Sequence, residues 1–304
     1  MTSSKNEIFS SSLFEIRKIH HGALTEKAAS VSSSESIVVS NLTSRHDHDK
    51  QFCDSPSPIP SVPVVGESQV FPVHRIYCVG RNYADHAVEM GGDPSREPPF
   101  FFTKPADAIV PATSSVSQTN PNNDTRTSTT IPYPLATQNL HHEIELVVAI
   151  GKAGTQISQQ YAMEHVYGYA VGVDLTRRDL QSAAKQTSRP WDSAKAFDQS
   201  APISAIVPKE KTTMSHQEDP ESSSSRTNRI WLTVNGQLQQ DGSLDQMTWK
   251  VPEIIAILSQ QFHLQPGDLI YTGTPSGVGP LQKGDVVQGG VDALEDVRVE
   301  FTIS

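Results

Sequence analysis

Apolar and polar positions divide this chain near residue 65. Before that point apolar residues follow neither a helical nor a strand period, serine is frequent, and the stretch closes in Asp54-Ser55-Pro56-Ser57-Pro58-Ile59-Pro60. Such a segment buries too little apolar surface to offset the entropy of ordering it, so residues 1–65 are expected to form a mobile extension. From Phe71 onward the pattern is that of a folded domain, expected to occupy 66–304. Arg75-Ile76-Tyr77-Cys78-Val79-Gly80 predicts a short buried strand. Residues 143–150 begin in alternation and end apolar, which predicts a half-buried strand entering a core. Residues 166–175 predict another strand, after which Thr176 is placed to cap a helix carrying Arg178, Leu180 and Ala184. Segments 230–234 and 237–240, joined by Asn235-Gly236, predict a hairpin with positive φ at both turn residues. Pro252 opens a helix with Ile254, Ile255, Leu258 and Phe262 on one side. Short strands follow around 268–272, 285–287 and 297–303. Many short strands and few helices predict a mainly β (α+β) fold that closes into a barrel or sandwich. Two polar stretches, 114–130 and 209–228, interrupt it and read as surface inserts.

Composition narrows the function classes. The 304 residues carry a net charge of −10, which argues against nucleic acid, because phosphate binding needs clustered Lys and Arg. No run of 18 apolar residues is present, so no helical membrane span is expected. Cys53 and Cys78 make neither a disulfide framework nor a zinc spacing, and they fit a reducing compartment. Arg17 and Lys18 in a Ser-rich extension fit a transit peptide, whereas Glu7 and Glu15 count against one. Cytoplasm and mitochondrion both stay open.

The candidate chemistry starts from carboxylates. Glu143 and Glu145 are two apart on a predicted strand, so both side chains take the same face and Ile144 takes the other. Asp174 ends an otherwise apolar strand, Tyr169-Ala170-Val171-Gly172-Val173-Asp174, where an acid needs compensation. Three carboxylates with open positions for substrate suit Mg²⁺ or Mn²⁺, whereas zinc favours His or Cys. The spacing alone fits equally well two ordinary glutamates at a solvent-facing strand edge. His86 and Glu89 stand three apart, on one face of a helical turn, where a Glu would fix the His tautomer and suit it as a general base. An exposed helical pair is the plainer reading. Gly91-Gly92 fits a lid hinge or a simple helix stop. Lys195, in Trp191-Asp192-Ser193-Ala194-Lys195-Ala196-Phe197, is either aimed at a developing negative charge or lies along the surface. Arg178 suits a carboxylate, but Arg177 is adjacent and only one of the two can face inward.

Several stretches together resemble the fumarylacetoacetate hydrolase family. They are Val79-Gly80-Arg81-Asn82-Tyr83-Ala84-Asp85-His86, His141-His142-Glu143-Ile144-Glu145-Leu146 with Asp174, and Tyr271-Thr272-Gly273-Thr274-Pro275-Ser276-Gly277-Val278-Gly279. Phe71-Pro72-Val73-His74 and Pro98-Pro99-Phe100-Phe101-Phe102-Thr103-Lys104-Pro105 resemble the fumarylpyruvate hydrolase and acylpyruvase branch. The likeness spans about 71–304, apart from the two inserts. It implies a mixed β-roll, a bound Mg²⁺ (or Mn²⁺) on Glu143, Glu145 and Asp174, and a homodimer. It also implies a water-activating dyad of His86 and Glu89 on a lid helix. Gln181 and Lys195 would flank the substrate carbonyls, and Thr274, next to Gly273, would bind the substrate's terminal carboxylate; Arg178 is the further substrate-binding candidate. Lys104 reads as structural. The implied activity is hydrolysis of a carbon–carbon bond in a β-diketo acid, with oxaloacetate decarboxylation or keto–enol exchange as the alternative.

Overall fold

The computed structural model describes residues 58–89, 97–115, 129–212, 214, 228–294 and 297–304. The longest runs of apolar residues make the central strands. Ile144–Ile150 pairs antiparallel with Val166–Val173 on one side and with Leu269–Tyr271 on the other. Leu269–Tyr271 then pairs in parallel with Ile76–Gly80, which meets Phe100–Lys104 at the sheet edge. Beyond Val166–Val173 come Ala201–Ile203 and Ile109–Pro111, with Val207–Pro208 on the same strand, giving eight strands of mixed direction. A second sheet of six strands holds Gln237–Ser243, Arg229–Val234, Val286–Val291 and Val297–Ile303, edged by Thr113–Ser115 and Thr129–Ile131. The fold is mostly strand, with few and short helices, and its main sheet curls into a half-barrel.

The strand Ile144–Ile150 shows why. Even-numbered Ile144, Leu146, Val148 and Ile150 enter a large core shared with Ile230, Leu232, Val299 and Phe301 of the second sheet. Odd-numbered Val147 and Ala149 enter a smaller core with Ile76, Cys78, Leu269 and Tyr271. All seven residues are buried, so the expected half-buried strand is buried on both faces. The second sheet covers one face and the smaller core covers the other, and no local period reports that.

Four α-helices lie around the sheets among the described residues: α1 (Ala84–Glu89), α2 (Arg178–Gln186), α3 (Asp192–Lys195) and α4 (Val251–Gln261). Pro252 stands in the first turn of α4, and Ile254, Ile255 and Leu258 are buried. Each such side chain contributes about 1.5–3 kcal/mol over leaving it in water. Phe262 differs from expectation, because it caps the helix in an extended conformation and is partly exposed. The hairpin forms as its turn residues demand, with φ of 52° at Asn235 and 76° at Gly236. Thr176 does not cap α2; it lies in the short strand Thr176–Arg177, and Arg177 precedes the helix. The strand Ser61–Pro63, with Val62 buried, falls inside the stretch read as extension. Gly91-Gly92, most of the two inserts and the extension up to residue 57 lie outside the described residues.

Candidate active site

Strand pairing assembles the acids. Ile144 is opposite Val173 and Glu145 is opposite Gly172, while the Asp174 amide donates to Glu143 O at 2.8 Å. Glu143 and Asp174 therefore face each other at the strand ends, with Glu145 diagonal to them on the same face. Gly172 lets Tyr271 and Val147 pack against the strand there: a Cβ would lie 2.6 Å from both the Tyr271 ring and Val147. One oxygen from each of the three acids can be chosen so that all lie within 4.8 Å of one another, and all three residues are buried. Among the described residues this is the one group of three His, Cys, Asp or Glu side chains so arranged.

Buried acids at this density require positive charge. Lys195 Nζ is 2.8 Å from Glu143 Oε2, 2.6 Å from Asp174 Oδ2 and 2.6 Å from Thr176 Oγ1. Arg178 Nη2 donates to Glu143 Oε1 at 2.5 Å. Lys104 Nζ lies 2.8 Å from Asp174 Oδ1 as an ion pair and donates to the Leu175 and Lys195 carbonyls. Burial works against ionised Glu143, but Lys195 and Arg178 outweigh it and hold its pKa below the ordinary carboxylate range. Lys195 is likewise opposed by burial, and Asp174 and Glu143 prevail, so it stays an ammonium. Glu145 has the opposite balance. It accepts the Gly273 amide at 2.7 Å but has no Lys or Arg partner among the described residues. Burial, then Asp174 and Glu143, push its carboxyl well above the usual range. A divalent cation beside Glu145 would supply the charge that this position lacks. The donors are three carboxylates, which is the set a hard cation prefers.

Gly273 reaches Glu145 because its φ is 96°, and a Cβ there would meet the Asn82 Cβ at 2.6 Å. Thr274 follows it, buried at the cleft. Its Oγ1 accepts from Gln240 Nε2 at 2.8 Å, which leaves the hydroxyl proton free to be donated. Gln240 is fully buried and uses its whole amide. Nε2 also donates to Pro275 O at 2.9 Å, and Oε1 accepts from the Ile144 amide at 3.1 Å and from His142 Nδ1 at 2.9 Å.

On α1, His86 is 7 % exposed and lines the cleft. Its Nδ1 is 3.1 Å from Glu89 Oε2, and the Gly277 amide donates to Glu89 Oε1 at 3.1 Å. A carboxylate accepts, so Nδ1 carries the proton and neutral His86 presents Nε2 as its basic nitrogen. Arg178 is buried and inward, while Arg177 donates to Ser193 O and lies over the Phe197 ring, so the choice between the two is resolved. Gln181 Oε1 accepts from Arg178 Nη1 at 2.7 Å, which turns the amide NH₂ away from Arg178. Lys195 departs from the expected aim at a substrate oxyanion, because all three of its N–H bonds are engaged by Glu143, Asp174 and Thr176. The cleft is also lined by Phe102 and by Arg81, Lys185 and Trp191, the last three of which sequence reasoning did not single out. The spacing of Lys185 from Gln181, one helical turn, is the signal that could have found it.

Known proteins share this architecture. The model of the fumarylacetoacetate (FAA) hydrolase C-terminal family matches residues 75–302. The mitochondrial oxaloacetate tautomerase of Mus musculus is 42% identical over 224 residues, covering 74% of this chain and 90% of that protein. The fumarylpyruvate hydrolase of a Ralstonia species is 41% identical over 207 residues, covering 68% of this chain and 94% of its own length. Among solved structures, fumarylpyruvate hydrolase from Pseudomonas aeruginosa in complex with Mn²⁺ and pyruvate superposes with a TM-score of 0.70 at 45% identity, covering 82% of this chain and 97% of that one.

Proposed function

The chain belongs to the fumarylacetoacetate hydrolase family, and from that premise we propose that it is a divalent-metal-dependent hydrolase of acylpyruvates, fumarylpyruvate foremost, releasing pyruvate and a carboxylic acid. The observation that carries this reading is His86, fixed by Glu89 and lining the same cleft as the three acids. A pure keto–enol exchange requires no group to activate water, whereas C–C hydrolysis does.

Glu143, Glu145 and Asp174 would hold Mg²⁺, or Mn²⁺ in its place. Bound there, the ion supplies Lewis-acid polarisation and a template for the pyruvyl head. His86 Nε2 takes a proton from water, and the resulting hydroxide attacks the distal carbonyl carbon. The free amide N–H groups of Gln181 donate to the oxygen that gains charge. Lys195 acts at one remove, keeping Glu143 ionised and holding Asp174 in place. The hydroxyl of Thr274 donates to a substrate carboxylate. When the C–C bond breaks, its electron pair goes to C3 of the pyruvyl fragment, which takes back the proton held by His86. The fragments leave as pyruvate and the acid of the acyl group. The subunit is proposed to work as a homodimer, as the family resemblance implies.

The test is loss of the diketone absorbance of an acylpyruvate panel with Mg²⁺ present, repeated with EDTA. Metal-dependent cleavage that His86→Ala abolishes supports the reading, and an unchanged rate in that variant would remove it. A second reading, oxaloacetate keto–enol exchange or decarboxylation, is favoured by the oxaloacetate tautomerase relative at similar identity. Oxaloacetate turnover with no acylpyruvate cleavage would establish that reading instead.

A further inference from the structure

Three cations of the site, Lys104, Arg178 and Lys195, face an acid, and two others face none among the described residues. Arg178, Gln181 and Lys185 recur at i, i+3 and i+7 on α2, so all three take its cleft-facing side. Arg178 is engaged by Glu143 and Gln181. Lys185 has no carboxylate partner among the described residues, and its ammonium lies 5.4 Å from the centre of the Trp191 ring. Burial, then Arg178 and Arg81, push its pKa down, as expected for a half-buried lysine set among like charges. Arg81 reaches the same cleft from the turn between Ile76–Gly80 and α1, and it too has no acid partner among the described residues. Its backbone has φ of 57°, a left-handed conformation that is uncommon for a residue with a side chain and that clusters at ligand clamps. Phe102 and Trp191 also line the cleft, their rings edge to face with centroids 5.9 Å apart. In a chain of net charge −10, two cations that lack an acid among the described residues and stand beside two aromatic side chains make a wall that attracts an anion.

We propose that Arg81 and Lys185 bind a carboxylate at the far end of the acyl arm, so that the cleft selects acylpyruvates whose acyl group is itself an acid. The proposal rests on the acylpyruvate reading above and names the residues that decide among its substrates. Phe102 and Trp191 flank the flat, conjugated chain that joins the diketone to that carboxylate.

Fumarylpyruvate and crotonylpyruvate form the discriminating pair, because they differ only in a terminal carboxylate replaced by methyl. The wild type is expected to prefer fumarylpyruvate in kcat/KM. Lys185→Met is expected to cut that preference about 10- to 100-fold, chiefly through KM, the range of one charge-assisted hydrogen bond. Arg81→Gln acts in the same direction, and Lys185→Arg restores the preference. Unchanged circular dichroism and Tm keep the comparison clean. A preference unaltered in both Lys185→Met and Arg81→Gln overturns the subsite. A wild type that cleaves both acids equally overturns the subsite alone and leaves the hydrolase standing. A wild type that cleaves neither removes the hydrolase reading and the subsite together.

Discussion

The floor of the cleft and the helix α1 at its wall hold their functional groups in opposite ways. On the floor, Glu143, Glu145 and Asp174 stand at the ends of strands buried on both faces, and Lys195, Arg178 and Lys104 tie Glu143 and Asp174. At the wall, His86 rides on a six-residue helix. That helix is fastened before its start by Asn82, which donates to the Thr272 and Trp249 carbonyls, and at its end by Glu89 on the Gly277 amide. A short helix held at its two ends opens more readily than paired charges set between two cores. Under the proposed function the difference separates two requirements: metal-ligand positions that must not drift, and a base that must meet substrate as it enters.

The comparison can be broken by substitution, beginning with the floor. Asp174→Asn or Glu145→Gln should lower metal-dependent turnover by about 10³-fold or more, as several kcal/mol of charge stabilisation go. Calorimetry should show Mn²⁺ binding weakened in parallel, and full Mn²⁺ affinity in either variant would place the ion elsewhere. At the wall, His86→Ala should cost about 10²- to 10⁴-fold in kcat. Mn²⁺ affinity should hold there, and its loss would mean that floor and wall are one unit. Lys104→Met should cost stability, about 3 kcal/mol, the low end for a broken buried pair because Lys195 still holds the other Asp174 oxygen. A urea midpoint equal to wild type would contradict it.

The smallest effect is in pH. Burial, then Arg178, lowers the His141 pKa to about 4. An unfolded His titrates near 6.5. Between those values the unfolded chain takes a proton that the folded chain refuses, so stability is full above about pH 6.5 and falls as pH drops toward about 4. The urea midpoint should follow that slope, and His141→Gln should flatten it. An equal slope in the variant would assign the effect to other groups.

The parts legible in the sequence were those set by neighbours along the chain. Period two put Glu143 and Glu145 on one face, and Asn235-Gly236 fixed the hairpin. What stayed hidden depends on partners far apart in sequence. That Asp174 faces Glu143 is a matter of register between two strands, and one residue of slip would undo it. Lys104 pairs with Asp174 across seventy residues, so it reads as structural in the sequence but the acid it holds stays hidden until the sheet forms. Thr176 carries a helix-capping signal, yet its hydroxyl donates to the Asp174 carbonyl and accepts from Lys195, and a buried ammonium outweighs a cap. Gln240 lies beside exposed Gln237, Leu238 and Gln239, which is the pattern of a solvent-facing hairpin.

The four hydrogen bonds of Gln240 carry a consequence for exchange kinetics. The amide proton of Ile144 ends on Gln240 Oε1, and the same amide group holds Thr274 and Pro275 through Nε2. Solvent deuterium cannot reach Ile144 at that bond until the Gln240 amide lets go, and letting go releases the 274–275 loop as well. The labelling rate at one strand amide thereby becomes a clock for how often Thr274 comes loose.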